Sequence, residues 1–246
     1  MAPPLEQLLR IVAVIPARLA SSRLPGKVLM PLAGEPMIGR QIERLRRAKG
    51  ISAILVATST RADDDPLVGY VAGLGVEVFR GDLDDVLYRF RQALSWQGDP
   101  EQFLRLTADC PLADPEVIDL CIRRHRERDA DYTHNSVDGT YPKGLDVEVC
   151  RTSALLAAWS ETQDPYDREH VTPFIYRRPE RFRVEVVVHD PPLRWRWTVD
   201  TPQDYAFASA VYDGLYAAKP DFVMQDVLDW QAANPGQAIP NPVEAA

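Results

Sequence analysis

No run of this 246-residue sequence stays apolar over the roughly 18–20 residues that a bilayer-spanning helix requires, so no membrane partner is expected. Cysteine is scarce. Cys110, Cys121 and Cys150 are odd in number and form no C-x-x-C pair, which argues against both a disulfide framework and a zinc site and leaves them as small packing residues. The glycine fingerprint G-x-G-x-x-G and the Walker pattern G-x-x-x-x-G-K-[ST] are both missing, which disfavours a dinucleotide fold and a P-loop. Positive charge is in deficit: 28 Lys and Arg stand against 36 Asp and Glu, a net charge of −8 that argues against a nucleic-acid partner. The opening MAPPLEQLLR lacks the basic and long apolar regions of a secretion signal, so a cytoplasmic location is expected.

What is present is a rhythm. IVAVI (11–15) is the continuous, largely β-branched run of a strand buried on both faces. AILVAT (53–58), VEVF (76–79) and FLRLT (103–107) read as further strands. Between them, Pro36 opens a helix with Met37, Ile38, Ile42 and Leu45 at helical spacing, and DLDDVLYRFRQAL (82–94) reads as a helix begun by Asp82 with Asp85 in its first turn. Asp114 and Pro115 start another over 114–125. This alternation over 1–128 predicts an α/β fold, a three-layer and mostly parallel sheet with helices on both faces.

From 130 to 190 the rhythm breaks: DYTHNS, GLDVEVC and FRVEVVV read as strands around helices at 151–161 and 166–178, a small insertion. Over 191–220 the chain is expected to return to the main sheet, with RWTV (196–199) ahead of a helix at 201–215 that has Thr201 as N-cap, Pro202 at its first position and Asp204 as the capping-box acid. The chain, 1–246, reads as one domain with a frayed tail at 235–246.

In an open parallel sheet, ligands bind beyond the carboxyl ends of the strands. The loop PARLASSRLPGK (16–27) lies there. Its small residues, Ala17 and Ser22 among them, let backbone N–H groups approach an anion, and Arg18, Arg23 and Lys27 can neutralise it. In isolation such a loop also reads as a solvated basic turn. Asp109 follows FLRLT and Asp200 follows RWTV; each alone is equally a turn-forming or helix-flanking acid. Two carboxylates opposite a cationic loop, however, suit Mg2+ held against a triphosphate.

IPARLASSRLPGKVLMPLAGEPMI (15–38) resembles the nucleotide-binding loop of the cytidylyltransferases that make CMP-activated sugar acids. RLTADCPLADPEVID, YPKGLDVEV, REHVTPFI and RWTVDTPQDY, spread from 105 to 205, are similar to the spore-coat-polysaccharide (SpsF-like) branch, and the likeness covers about four-fifths of the chain. The resemblance implies a GT-A-like (Rossmann-like) nucleotidyltransferase that moves CMP from CTP to a small anionic acceptor, a sugar acid or a phosphorylated or phosphonate compound, and releases pyrophosphate. It implies that Arg18, Arg23 and Lys27 act on the triphosphate, with Pro16, Ala17, Ser22, Arg80, Asp82, Thr107 and Asp109 completing the nucleotide site. Asp109 and Asp200 would hold Mg2+. The region 130–190 would supply an acceptor pocket, with Lys143, Asp146, Arg168, Glu169 and His170, and a homodimer contact.

One departure stands out. Where the sugar-acid enzymes carry a Gly-Asp-Glu-Pro-type segment, this chain has Ala108-Asp109-Cys110-Pro111, with a thiol in place of the second acid. Two other functions compete with this one: a GT-A glycosyltransferase, disfavoured by the missing Asp-x-Asp at this strand end, and a non-catalytic nucleotide-binding homologue, disfavoured by retention of both carboxylates.

Overall fold

The computed structural model describes residues 10–21, 23–136 and 140–236; Ser22 and the tail over 237–246 lie outside the described residues. The first strand, β1 (Ile11–Pro16), explains the layering. Its five apolar side chains are wholly buried, and strand alternation sends Ile11, Ala13 and Ile15 into one core and Val12 and Val14 into another.

After β1 come a 3-10 turn (Lys27–Leu29), a ribbon of β2 (Pro31–Leu32) and β3 (Glu35–Pro36), and α1 (Met37–Leu45). They are followed by β4 (Ala53–Ser59), a 3-10 turn (Ala62–Asp64), α2 (Asp65–Gly73), β5 (Glu77–Gly81), α3 (Val86–Trp96), β6 (Gln102–Arg105) and α4 (Pro115–Glu127). The second half adds β7 (Tyr132–His134), β8 (Glu148–Arg151), α5 (Thr152–Glu161), α6 (Pro165–His170), α7 (Pro173–Tyr176), β9 (Val184–Val186), α8 (Pro202–Leu215) and α9 (Met224–Ala233). None of these helices is long and apolar enough to cross a membrane.

The main sheet has the order β5-β4-β1-β6-β8-β7-β9, and only β8 runs against the rest. Helices α1, α2, α4, α8 and α9 close the first core, and α3, α5 and α7 close the second. The mostly parallel, three-layer α/β arrangement therefore holds as expected. Asp114 caps α4 by accepting from Glu116 N–H (2.8 Å) and Val117 N–H (3.1 Å), and Thr201 and Asp204 form the capping box of α8.

Three expectations are corrected. The helix expected from 82 begins at Val86, because Asp82 spends its carboxylate on a separate turn, accepting from Asp84 and Asp85 N–H (2.9 Å each), and Asp85 is the N-cap. The helix expected over 166–178 is two helices, broken at Val171 (φ 74°), whose left-handed backbone lets Pro173 start α7. RWTV is no strand; 194–200 runs beside the sheet with one bridge, Lys143 to Arg196. Two helices lacked a strong sequence signal: α2 carries two glycines, and α9 has no polar N-cap residue, its start being closed by Asp226, whose carboxylate accepts from Val223 N–H (2.8 Å).

Candidate active site

The carboxyl ends of β1 and β6 and the segment before α8 converge on one ammonium group. Gly26 takes a left-handed conformation (φ 71°) that turns the chain into the 3-10 turn starting at Lys27, and Lys27 is swung under the sheet edge until it is 9% exposed. Its Nζ donates to Val199 O (2.7 Å), Asp200 Oδ1 (2.9 Å) and Asp109 Oδ2 (3.3 Å). Asp200, itself 7% exposed, also meets Arg23 Nη2 at 3.0 Å and Arg196 Nη2 at 2.7 Å. Burial pushes its carboxyl up, but the bond and charge of Lys27, the bond from Arg196 and the charge of Arg23 outweigh that, and the net position is below the usual carboxylate range.

Backbone contacts set these side chains. Asp109 O accepts from Val199 N–H (2.8 Å) and Thr198 Oγ1 (3.3 Å), which ties the end of the β6 segment to the segment bearing Asp200. Lys143 N–H donates to Trp195 O (2.8 Å), and Lys143 O accepts from Trp197 and Thr198 N–H. Gly144 sits so close that a Cβ there would lie 2.5 Å from Thr198 N, so only glycine fits (φ 111°). Cys110 is buried, and burial, then the neighbouring Asp109 charge, pushes its thiol well above its ordinary value; it stays protonated and donates to Asp109 Oδ1 (3.5 Å).

Asp109 and Asp200 therefore offer two hard oxygen donors to a single point. Among the described residues no group of three or more His, Cys, Asp or Glu side chains forms a complete metal cage. Two carboxylates, with phosphate oxygens and water to fill the remaining positions, are the donor set that Mg2+ prefers, so the residues present fit that ion.

Beside this centre lie two clefts that share Arg105 and His170. The first, about 450 Å³, is lined by Pro16, Ala17 and Arg18 from the loop, by Leu83, Asp84, Val86 and Arg89 around the start of α3, and by Pro165 and Glu169. Arg89 is buried. Desolvation, then the charge of Arg18, pulls its guanidinium below the ordinary value, and its Nε has no hydrogen-bond partner. The second, about 530 Å³, has an aromatic wall of Tyr132, His134 and Tyr176, with the His134 ring 5.1 Å from Tyr132 and 6.4 Å from Tyr176. Arg105 and Glu148 face one another across β6 and β8, joined at 2.7 Å, and Glu148 Oε1 accepts from Tyr132 OH (2.9 Å) and Thr172 Oγ1 (3.1 Å).

The expected site residues thus divide. Arg23, Lys27, Asp109 and Asp200 form the central cluster, and Pro16, Ala17, Arg18, Glu169 and His170 line the first cleft. Thr107 contacts Cys110 Sγ (3.3 Å), and its carbonyl accepts from Gln41 (2.8 Å). Asp146 packs behind Gly144, accepting its N–H at 2.8 Å; burial, with the charges of Glu148 and Asp109, raises its carboxyl against that bond and Lys143. Others are not brought to the clefts. Arg80 is bound to Ser59 O, Arg61 O and Asp65, Asp82 to its own turn, and the Lys143 side chain is exposed. Arg168 spends its guanidinium on Thr162 O, Trp159 O and Asp85 Oδ2 (3.0 Å), joining α6 to α3. Sequence reasoning missed Arg89, Arg105, Glu148, Arg196 and the aromatic wall; the one visible signal was Arg105, a lone charge inside the apolar run FLRLT.

A family model described as Cytidylyltransferase matches residues 12–213. The spore coat polysaccharide biosynthesis protein SpsF of Bacillus subtilis is 32% identical over 237 residues, 93% of this chain and 96% of that protein. A 3-deoxy-manno-octulosonate cytidylyltransferase of Geobacter sulfurreducens is 39% identical over 116 residues, 46% of this chain and 44% of that one. A solved cytidylyltransferase from Leptospira borgpetersenii superposes with a TM-score of 0.88 at 27% identity, covering 94% of this chain and 97% of its own. The chain belongs to the cytidylyltransferase family and is a nucleotidyltransferase.

Proposed function

We propose that the protein transfers CMP from CTP to a small anionic acceptor, a sugar acid or a phosphorylated or phosphonate compound, with Mg2+ and release of pyrophosphate. One observation carries the reading: the ammonium of Lys27 bridges Asp109 and Asp200 at 3.3 and 2.9 Å, with Arg23 and Arg196 on the same carboxylate, at the open end of the sheet. With Asp204, which meets Arg196 Nε at 3.3 Å, three cations face three carboxylates in a charge-balanced resting state. An arriving triphosphate competes for Arg23 and Lys27 and frees carboxylate oxygens.

Asp109 and Asp200 would hold Mg2+, which supplies positive charge to the phosphates when bound. The nucleoside occupies the first cleft, beside Arg18 and the α3 entry, and the acceptor enters from the second. An acceptor oxygen attacks the α-phosphorus, the bond to the β-phosphate oxygen breaks, and Arg18, Arg23 and Lys27 stabilise the charge that accumulates on the departing pyrophosphate. Arg105, where the two clefts meet, lies where an anionic group of the acceptor would be met. The protein is read as a cytoplasmic homodimer, with the exposed Val186 and Val188 around edge strand β9 in the contact.

Thermal unfolding with each nucleotide and Mg2+ tests the reading, because a ligand selective for the folded state raises apparent stability. CTP is expected to raise the midpoint more than ATP, GTP or UTP. A rise with UDP-sugars and none with CTP would replace the reading with a glycosyltransferase.

A further inference from the structure

Arg23 and Lys27 are held at the end of their loop by Asp200 and Asp109, and the start of the loop, around Arg18, needs an anchor of its own. Ala17 N–H continues the ladder to Ala57 O (3.1 Å), and beyond it the loop backbone is held at Leu19. Leu19 O accepts from Ser21 N–H and Gly26 N–H (2.9 Å each), closing the loop just before Lys27. Leu19 N–H, immediately after Arg18, donates to Asp64 Oδ1 (2.8 Å) across 45 residues of sequence.

Asp64 is 2% exposed and lines neither cleft. Its second oxygen accepts from Thr58 Oγ1 (3.0 Å), Ser59 N–H (3.3 Å) and the Ser59 hydroxyl, all at the carboxyl end of β4. Burial alone would favour the protonated acid, but the bonds from Leu19, Ser59 and Thr58 win, and the group is an anion at neutral pH. The turn that presents it is clamped from outside: Arg80 donates to Ser59 O (3.0 Å), Arg61 O (2.7 Å) and Asp65 Oδ1 (2.7 Å). That clamp is the use the fold makes of Arg80.

We propose that Asp64 is a positioning residue for nucleotidyl transfer. By fixing Leu19 to the end of β4, it sets Arg18 on one side and, through Leu19 O and Gly26 N–H, Lys27 on the other, before the nucleotide arrives. Ordering paid in advance in the free protein is not charged against ligand affinity. The proposal rests on the reading of the loop as the triphosphate site.

The test is Asp64→Asn, which keeps the shape but puts an NH2 among donors. Two readouts are taken: amide hydrogen exchange at Leu19 and Gly26 in the ligand-free protein, and calorimetry with Mg·CTP. Exchange at both amides is expected to quicken by about tenfold or more with β6 unchanged, and Mg·CTP affinity to fall about tenfold, the scale of one charge-assisted hydrogen bond. In turnover, KM for CTP should rise while KM for the acceptor stays within about twofold. Ile118→Val, a core substitution in α4, serves as the stability control and should move none of these. If Asp64→Asn does not fold, Arg80→Met loosens the clamp from outside and should shift the same readouts by about threefold.

A variant that loses stability like the control, yet keeps Leu19 and Gly26 protection and Mg·CTP affinity within about twofold of the unaltered chain, would overturn the proposal. Failure of the unaltered chain to bind Mg·CTP would overturn the nucleotide reading instead, and the exchange rates would still decide whether Asp64 holds the loop.

Discussion

On the β1 side of Arg105 the cleft wall is charged, with Arg18 and Arg89 set against Asp84 and Glu169; on the β7 side it is Tyr132, His134 and Tyr176 around the closed Arg105–Glu148 pair. The first wall comes from loops at the carboxyl ends of parallel strands, where backbone N–H groups and cations can gather around an anion. The second comes from the faces of β7 and β8, where alternate side chains of paired strands stand side by side, with Tyr176 added from the end of α7. Under the proposed function the labour divides: the parallel half would handle phosphate charge, and the half with the antiparallel strand, with its Tyr132 and Tyr176 rings, would meet the body of an acceptor.

Two substitutions sharpen that contrast. Lys27→Met should have the larger effect, lowering kcat/KM by about 10²–10³-fold, the scale of one lost charge-stabilising donor. Steady-state kinetics across CTP concentrations check this, and a loss below about fivefold would mean that the cluster is structural. Tyr176→Ala should have the smaller effect, raising KM for whichever acceptor supports turnover by about fivefold, close to 1 kcal/mol for one lost ring contact, while leaving KM for CTP unchanged. An equal rise in both KM values would dissolve the division between the clefts.

Legibility in the sequence followed locality. IVAVI announced a doubly buried strand because burial on two faces needs no partner to be recognised, and Asp114-Pro115 and Thr201-x-x-Asp204 announced helix starts because caps act within one turn. Lys27, Asp109 and Asp200 were legible as separate charges, and the pairing of β1 with β6 together with the bond from Val199 N–H to Asp109 O brings them to one place. The pairing of Arg105 with Glu148 depends on the β6–β8 register, 43 residues apart, and no local pattern encodes it. Arg168 and Arg80 looked like ligand cations because composition cannot distinguish a guanidinium open to a ligand from one consumed by three backbone and carboxylate oxygens. Asp64 was invisible for the converse reason, since its four donors come from Leu19, Thr58 and Ser59 and nothing in ADDDP marks one acid as buried.

The most direct measurement is pyrophosphate release from CTP with Mg2+ over a panel of sugar acids, phosphorylated polyols and phosphonates, for the unaltered chain and Asp109→Ala. The account predicts acceptor-dependent release from the unaltered chain and a loss of about 10²-fold or more in the variant. Equal release from both, above background, would contradict it.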